Sequence, residues 1–211
     1  MFAKSVMLPE NQCIIATKGE TLKEALEKLN KHDIESMPVV DQGTYIGMIS
    51  KQTIYEHFFE KVDVDKEQFL TTFKVKDLIN NEDHYVKMED VFEKTLKTLK
   101  GYPIIAVVDD DKQLLGLVSR YDVIEQFESA FGLKRFGVRI AISAQEQEGS
   151  LAKVTELVKR YNENIIAVAT FDETGKLARR IVLKVEKTKE TDNFIKHLEK
   201  TGFRILDVKE M

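Results

Sequence analysis

The chain has 211 residues, 43% of them hydrophobic, which is enough apolar material for one large core or two small ones and excludes a disordered polar chain. Its 32 basic and 36 acidic side chains leave a formal charge of −4, too little positive charge for a generic grip on nucleic-acid phosphates. No apolar run approaches the roughly 18 residues of a membrane span, the start lacks a signal pattern, and the single Cys13 suits a reducing compartment; a cytoplasmic chain with neither membrane nor nucleic acid as partner is expected.

Taken from the N-terminus, Ala3–Met7 reads as a short apolar leader, and Leu22, Ala25, Leu26 and Leu29 recur at helical spacing. Met37–Asp41 and Tyr45–Ser50 read as strands joined by a short turn, with a helix from Gln52 to Phe59 behind them. The pattern then restarts about 70 residues on: a leader Val75–Ile79, a helical face of Phe92, Thr95, Leu96 and Leu99, strands Ile105–Asp109 and Leu114–Ser119, and a helix from Tyr121 to about Phe131. One copy holds only about 60 residues and buries little surface alone, so the two should pack with pseudo-twofold symmetry and leave clefts between them.

Charge marks a further boundary. Residues 1–133 carry 16 basic and 24 acidic side chains, whereas residues 134–211 carry 16 and 12. Beyond it come the strand Val138–Ile142, a helix Ser150–Tyr161 with Leu151, Val154, Leu157 and Val158 on one face, and the strand Ile165–Phe171. A turn at Asp172–Gly175 leads to the strand Ala178–Val185, the helix Thr191–Lys200 and the strand Phe203–Val208. That βαββαβ order is ferredoxin-like. The expected fold class is therefore α/β and α+β, with domains at 1–72, 73–133 and 134–211.

The chemistry concentrates where the second strand of each copy meets a helix. In the second copy the stretch is Gly116-Leu117-Val118-Ser119-Arg120-Tyr121-Asp122; in the first it is Gly47-Met48-Ile49-Ser50-Lys51-Gln52-Thr53. A helix starting near Ser119 leaves backbone N–H groups unpaired with the positive end of its dipole behind them, which suits a phosphate. Ser119 adds a hydroxyl and Arg120 a fixed charge; Arg120 is the only arginine among residues 1–133, against fifteen lysines. Asp122 returns to the same side one turn later, where its carboxylate can accept from two ribose hydroxyls. The plain alternative makes Ser119 an N-cap, Asp122 a dipole partner and Arg120 solvated surface. In the first copy Ser50 and Lys51 remain, but Thr53 offers one hydroxyl in place of a carboxylate, so that cleft should grip ribose more weakly.

No convergent catalytic groups stand out. His32, His57, His84 and His197 have no metal-ligand spacing, Cys13 reads as an inert buried thiol, and Asp109-Asp110-Asp111 reads as a solvated turn. Neither enzymatic activity, nor a metal, nor a cofactor is expected.

Both copies resemble cystathionine-beta-synthase (CBS) domains, and their tandem resembles a Bateman module. The resemblance implies adenine lodged between the repeats, against Ile14, Ile15 and Ala16 from the first copy and Ile104 and Ile105 from the second, with Ser119, Arg120 and Asp122 on the phosphate and ribose. Ser50, Lys51 and Thr53 would form a weaker second site. The stretch Gln147-Glu148-Gly149-Ser150-Leu151 is similar to the ligand loop of ACT domains, with Glu148 where that family usually has proline; Glu148, Gly149 and Ser150 are its candidate residues. A CBS pair followed by an ACT domain resembles the acetoin-utilisation-B type of bacterial protein and the CBS–ACT receptors for cyclic di-AMP. These resemblances imply a non-enzymatic homodimeric sensor of an adenine nucleotide, cyclic di-AMP ahead of AMP, ADP or ATP, that signals to an effector protein. An amino-acid-responsive regulator acting through the ACT part, or a structural dimerisation adaptor, are the alternatives.

Overall fold

A computed structural model describes residues 2–61, 64–145, 148–172 and 178–211. The expected turn residues Glu173, Thr174 and Gly175 and the loop residue Gln147 lie outside the described residues. The chain divides into two compact units, Met1–Ile124 and Glu125–Met211.

The first unit runs β1 (Leu8–Pro9), β2 (Ala16–Thr17), α1 (Leu22–Lys31), β3 (Ser36–Asp41), β4 (Thr44–Ser50), α2 (Lys51–Phe59), α3 (Lys66–Thr72), β5 (Tyr85–Lys87), α4 (Phe92–Thr98), β6 (Ile104–Val108) and β7 (Leu114–Ser119), and α5 (Arg120–Ala130) starts in it. A capping box begins α1: the Glu24 N–H donates to the Thr21 hydroxyl at 3.2 Å, and the Thr21 N–H donates to the Glu24 carboxylate at 2.8 Å. The apolar stripe Leu22, Ala25, Leu26 and Leu29 then lies buried. Between β3 and β4 the turn residues Gln42 and Gly43 have φ of 51° and 86°, the left-handed pair that lets a two-residue turn follow strand twist. The helix α3 was not anticipated. Asp65, whose carboxylate accepts from the Glu67 and Gln68 N–H groups at 2.9 and 3.1 Å, followed by the buried Phe69 and Leu70, is its sequence signal.

Two sheets result, ordered β2-β3-β4 and β1-β7-β6-β5. The strand β2 runs parallel to β3 as β5 does to β6, while β3–β4 and β6–β7 are antiparallel hairpins. Each leader serves the other repeat. Ala3, Val6 and Met7 pack into the core of Val86, Ile105, Val107 and Val118, and Val75, Leu78 and Ile79 pack into that of Leu22, Leu29, Met37 and Ile49. This crossing explains one glycine in each copy. A Cβ on Gly116 would sit 2.3 Å from the Leu8 carbonyl oxygen, and one on Gly47 would sit 2.7 Å from the Asn80 carbonyl oxygen, so the incoming leader needs a residue without a side chain.

The hairpins meet at a seam. The Tyr45 N–H donates to the Lys112 carbonyl at 2.8 Å and the Leu114 N–H to the Gly43 carbonyl at 3.0 Å, a twofold-related pair of bonds. Beneath them Val40, Tyr45, Met48, Ala106, Val108, Leu114 and Leu117 are buried together. Each larger aliphatic there contributes about 1.5–3 kcal/mol by leaving water, so the repeats form one body and not two beads.

The second unit holds β8 (Val138–Gln145), α6 (Ser150–Arg160), β9 (Ile165–Asp172), β10 (Ala178–Val185), α7 (Thr191–Lys200) and β11 (Arg204–Glu210). Its sheet is ordered β11-β8-β10-β9 with every pairing antiparallel, the ferredoxin-like arrangement. Val154, Leu157 and Val158 from α6 and Phe194 and Leu198 from α7 bury against Ile140, Ile142, Ile181 and Leu183. Among the described residues no helix is long and apolar enough to cross a membrane.

Candidate functional site

Between the two repeats lies a cavity of about 640 Å³. That volume falls in the range of small-molecule sites, roughly 300–1,000 Å³. One end is the first strand-to-helix corner, with Ser50, Gln52 and Thr53; the other wall is the Lys100–Ile104 segment with Arg120, and Met48 and Ile104 supply apolar surface. Asn80 and Asn81, which follow the second leader, complete it.

The first corner is a chain of neutral polar groups. Ser50 caps α2, its hydroxyl accepting from the Thr53 N–H at 3.0 Å, and the two hydroxyls lie 2.8 Å apart. The Asn80 amide donates to the Thr53 hydroxyl at 3.0 Å, and the Asn81 amide donates to the Asn80 side-chain oxygen at 2.9 Å. At the far wall the Arg120 guanidinium donates to the Tyr102 carbonyl at 2.9 Å. The Tyr102 ring packs against His84 at a tilt of 53° with centroids 4.0 Å apart, and burial holds the His84 imidazole below its ordinary protonation range.

The second corner differs from expectation. Its N–H groups were expected to be unpaired, but the Ser119 N–H donates to the Asp122 carboxylate at 2.7 Å, the Asp122 N–H to the Ser119 hydroxyl at 3.1 Å and the Arg120 N–H to the Pro103 carbonyl at 2.9 Å. The Ser119 hydroxyl also donates to the Asp122 carboxylate, at 2.6 Å. An intramolecular acceptor is always at hand, so the helix start closes as a capping box. Arg120 lines the cavity at the first corner, and Ser119 and Asp122 do not line it.

Of the other expected residues, Ile104 lines the cavity, whereas Ile105 and Ala16 are fully buried in the two repeat cores. Ile14 packs against the first core and Ile15 against the seam, where the Ile15 carbonyl accepts from Lys28 at 3.1 Å. The Lys51 ammonium lies 3.4 Å from the Glu35 carboxylate and the Lys51 backbone N–H donates to the Glu35 carbonyl at 3.0 Å, so Lys51 holds the cavity edge together without lining it. Asn80, Lys100 and Tyr102 were missed, since they sit in segments with no periodicity to read. Cys13 is half-buried, not buried; its thiol donates to the Pro9 carbonyl at 3.3 Å, and burial pushes it up to about 11, which makes it a poor nucleophile.

In the second unit Glu148, Gly149 and Ser150 line a separate cavity of about 310 Å³ together with Arg179. Gly149 has φ of 82° and open space where a Cβ would stand, so backbone conformation and not close approach requires glycine there. Arg179, which also pairs with Asp172 at 3.1 Å, was missed; it adds a positive charge to the lining that holds Glu148.

Comparison with known families decides the class, since models of the CBS domain match residues 3–60 and 75–129. The chain belongs to the CBS-domain family. The TTHA0829-like ACT domain matches residues 136–209, so this CBS protein is a tandem CBS pair followed by an ACT domain. It is 26% identical to the carnitine transport ATP-binding protein OpuCA of Listeria monocytogenes over 66% of the chain, but spans only 32% of that protein's length. It is 30% identical to the methylated protein MJ0556 of Methanocaldococcus jannaschii, over 58% of the chain and 71% of that protein. Among solved structures, CbpB of Listeria monocytogenes in complex with c-di-AMP is 26% identical with a TM-score of 0.52, covering 58% of this CBS protein and 91% of that one.

Proposed function

We propose that this CBS protein is a non-enzymatic regulatory sensor that binds an adenine nucleotide, cyclic di-AMP ahead of AMP, ADP or ATP, in the cavity between its repeats. The observation that carries this reading is the cavity of about 640 Å³ in which Arg120, Ser50, Thr53 and Asn80 face an apolar wall of Met48 and Ile104. Flat apolar surface suits a purine, and the donors and guanidinium suit phosphate. Likeness to a CBS protein solved with c-di-AMP supports the order of preference. A sensor also implies a recipient, here an effector protein met by a homodimer of the chain. Isothermal titration against cyclic di-AMP, AMP, ADP and ATP tests the reading: one of them should bind, and a ligand present at 100 times its dissociation constant should stabilise the fold by about 2.7 kcal/mol. Heat-silent titrations with no change in the unfolding temperature would refute it.

A second reading is favoured by the ACT-part cavity, where Arg179 faces the Gly149–Ser150 start of α6. A cation beside a helix N-terminus suits the carboxylate of a free amino acid. The same thermal assay with a panel of amino acids separates the two, because a shift with amino acids alone would assign sensing to the ACT domain.

A further inference from the structure

The two corners present opposite polarity to a ligand. We propose that the Ser50–Thr53–Asn80 corner is a phosphoryl subsite, so that the cavity selects its ligand by charge and not by a grip on ribose hydroxyls. Such a subsite rests on the nucleotide reading and refines it.

At the second corner the Ser119 hydroxyl spends its proton on the Asp122 carboxylate at 2.6 Å, and the group left to meet a ligand is an anionic acceptor. The first corner lacks that carboxylate. There the Ser50 oxygen accepts from the Thr53 N–H and the Thr53 oxygen accepts from the Asn80 amide. With the oxygens 2.8 Å apart, one hydroxyl proton bridges them and the second remains to be donated elsewhere. Both residues line the cavity, so the corner faces a ligand as a donor.

The surrounding charges lean positive. Of the two carboxylates on the lining, Glu35 has Lys51 at 3.4 Å, while Glu56 accepts from the neutral Gln52 amide at 2.7 Å and keeps its charge. Arg120 donates to a neutral carbonyl, and among the described residues no carboxylate pairs with it; Lys100 lines the same space. A neutral donor corner opposite an uncompensated guanidinium fits a phosphoryl oxygen, which brings charge and strong acceptors, better than a sugar hydroxyl. Asn80 follows the second leader, so the subsite exists only while the repeats interlock.

The substitution Thr53→Asp recreates the second corner's pattern at the first. The capping box of Ser119 and Asp122 shows that an aspartate fits this helical position, so the variant should fold, as its thermal unfolding will show. Full-length wild type and Thr53→Asp are titrated with cyclic di-AMP, AMP and adenosine. Wild type should bind a phosphate-bearing ligand at least about tenfold more tightly than adenosine, and Thr53→Asp should lose roughly tenfold or more for that ligand while adenosine is unchanged or tighter, because like charges repel across a short gap. If the variant binds the nucleotide as well as wild type does, the phosphoryl subsite is wrong and the nucleotide reading stands. If wild type binds neither these three nor ADP or ATP, both are wrong. Should Thr53→Asp melt early, Thr53→Val removes the hydroxyl without adding charge: a loss of about threefold for the nucleotide and none for adenosine is expected, and equal losses overturn the subsite.

Discussion

The two CBS repeats share a frame and differ in the residues set into it. Both place a glycine under the other repeat's leader, both pair hairpin tips across the seam, and both start the following helix with a serine cap. At the third helical position they part: Asp122 closes the second corner with a charge, and Thr53 leaves the first corner neutral and joined to Asn80. The lesson is that backbone close approach and apolar burial enforce the symmetry, while the chemistry offered to a ligand rests on a few positions where the symmetry is broken.

Breaking the shared frame should have the largest effect. An Ala at Gly116 puts a methyl group 2.3 Å from the Leu8 carbonyl, and an Ala at Gly47 adds a left-handed φ of 139° to its clash with Asn80. Each substitution should destabilise the fold by about 2–4 kcal/mol, read as a lower urea midpoint at unchanged slope. A loss below about 1 kcal/mol at both sites would mean that the leaders lift away easily and that the interlocking is not what holds the repeats.

Next comes the asymmetry of charge at the cavity. Arg120→Gln should weaken nucleotide binding by about ten- to a hundredfold, whereas Lys51→Gln, whose lysine is occupied with Glu35, should cost only a few-fold. Calorimetric titration of both variants checks the ranking, and its reversal would mean that Lys51, and not Arg120, supplies the positive charge that the phosphate meets.

How much of the molecule is legible in its sequence depends on range. The repeat, its hairpins and the ferredoxin-like order rest on local apolar periodicity, which tertiary packing here reinforces. Sequence order places each leader with its own repeat, and the structure crosses them, because adjacency along the chain is silent about strand exchange; Gly47 and Gly116, repeated at matching positions, were the available signal. The site was half legible. Ser50, Thr53, Ile104 and Arg120 reach the cavity, but Ser119-x-x-Asp122 reads equally as a ligand motif and a capping box, and the box forms because its partners are covalently near. Asn80 and Tyr102 enter from irregular segments far along the chain, where neither spacing nor residue type singled them out.

Sharper still is the capping comparison. Asp122→Ala removes the acceptor of both the Ser119 N–H and hydroxyl and should cost about 1 kcal/mol, while Thr53→Ala leaves Ser50 still capping its helix and should cost less. Thermal or urea unfolding ranks the two. Equal losses would show that the closed corner is no more a structural device than the open one.

The smallest effect concerns the position two residues before Ala16 in the first repeat and before Val86 in the second. The pairing of Ala16 with Val39 and of Val86 with Val107 makes Ile14 and His84 structural counterparts. Ile14 is packed against a core and has nothing to titrate; His84 packs at a tilt against Tyr102, and its buried Nε2 has no hydrogen-bond partner among the described residues. Burial holds the His84 imidazole below its ordinary value of 6.5. As pH falls through that value, the unfolded chain takes up a proton that the folded chain refuses until a lower pH, so stability present above 6.5 is lost on acidification. His84→Ile makes the second repeat like the first and removes this contribution. Between about pH 8 and pH 5.5, therefore, the urea midpoint of wild type should fall further than that of the variant. Parallel pH profiles would instead mean that the ring takes its proton in place, against Tyr102, without loosening the repeat.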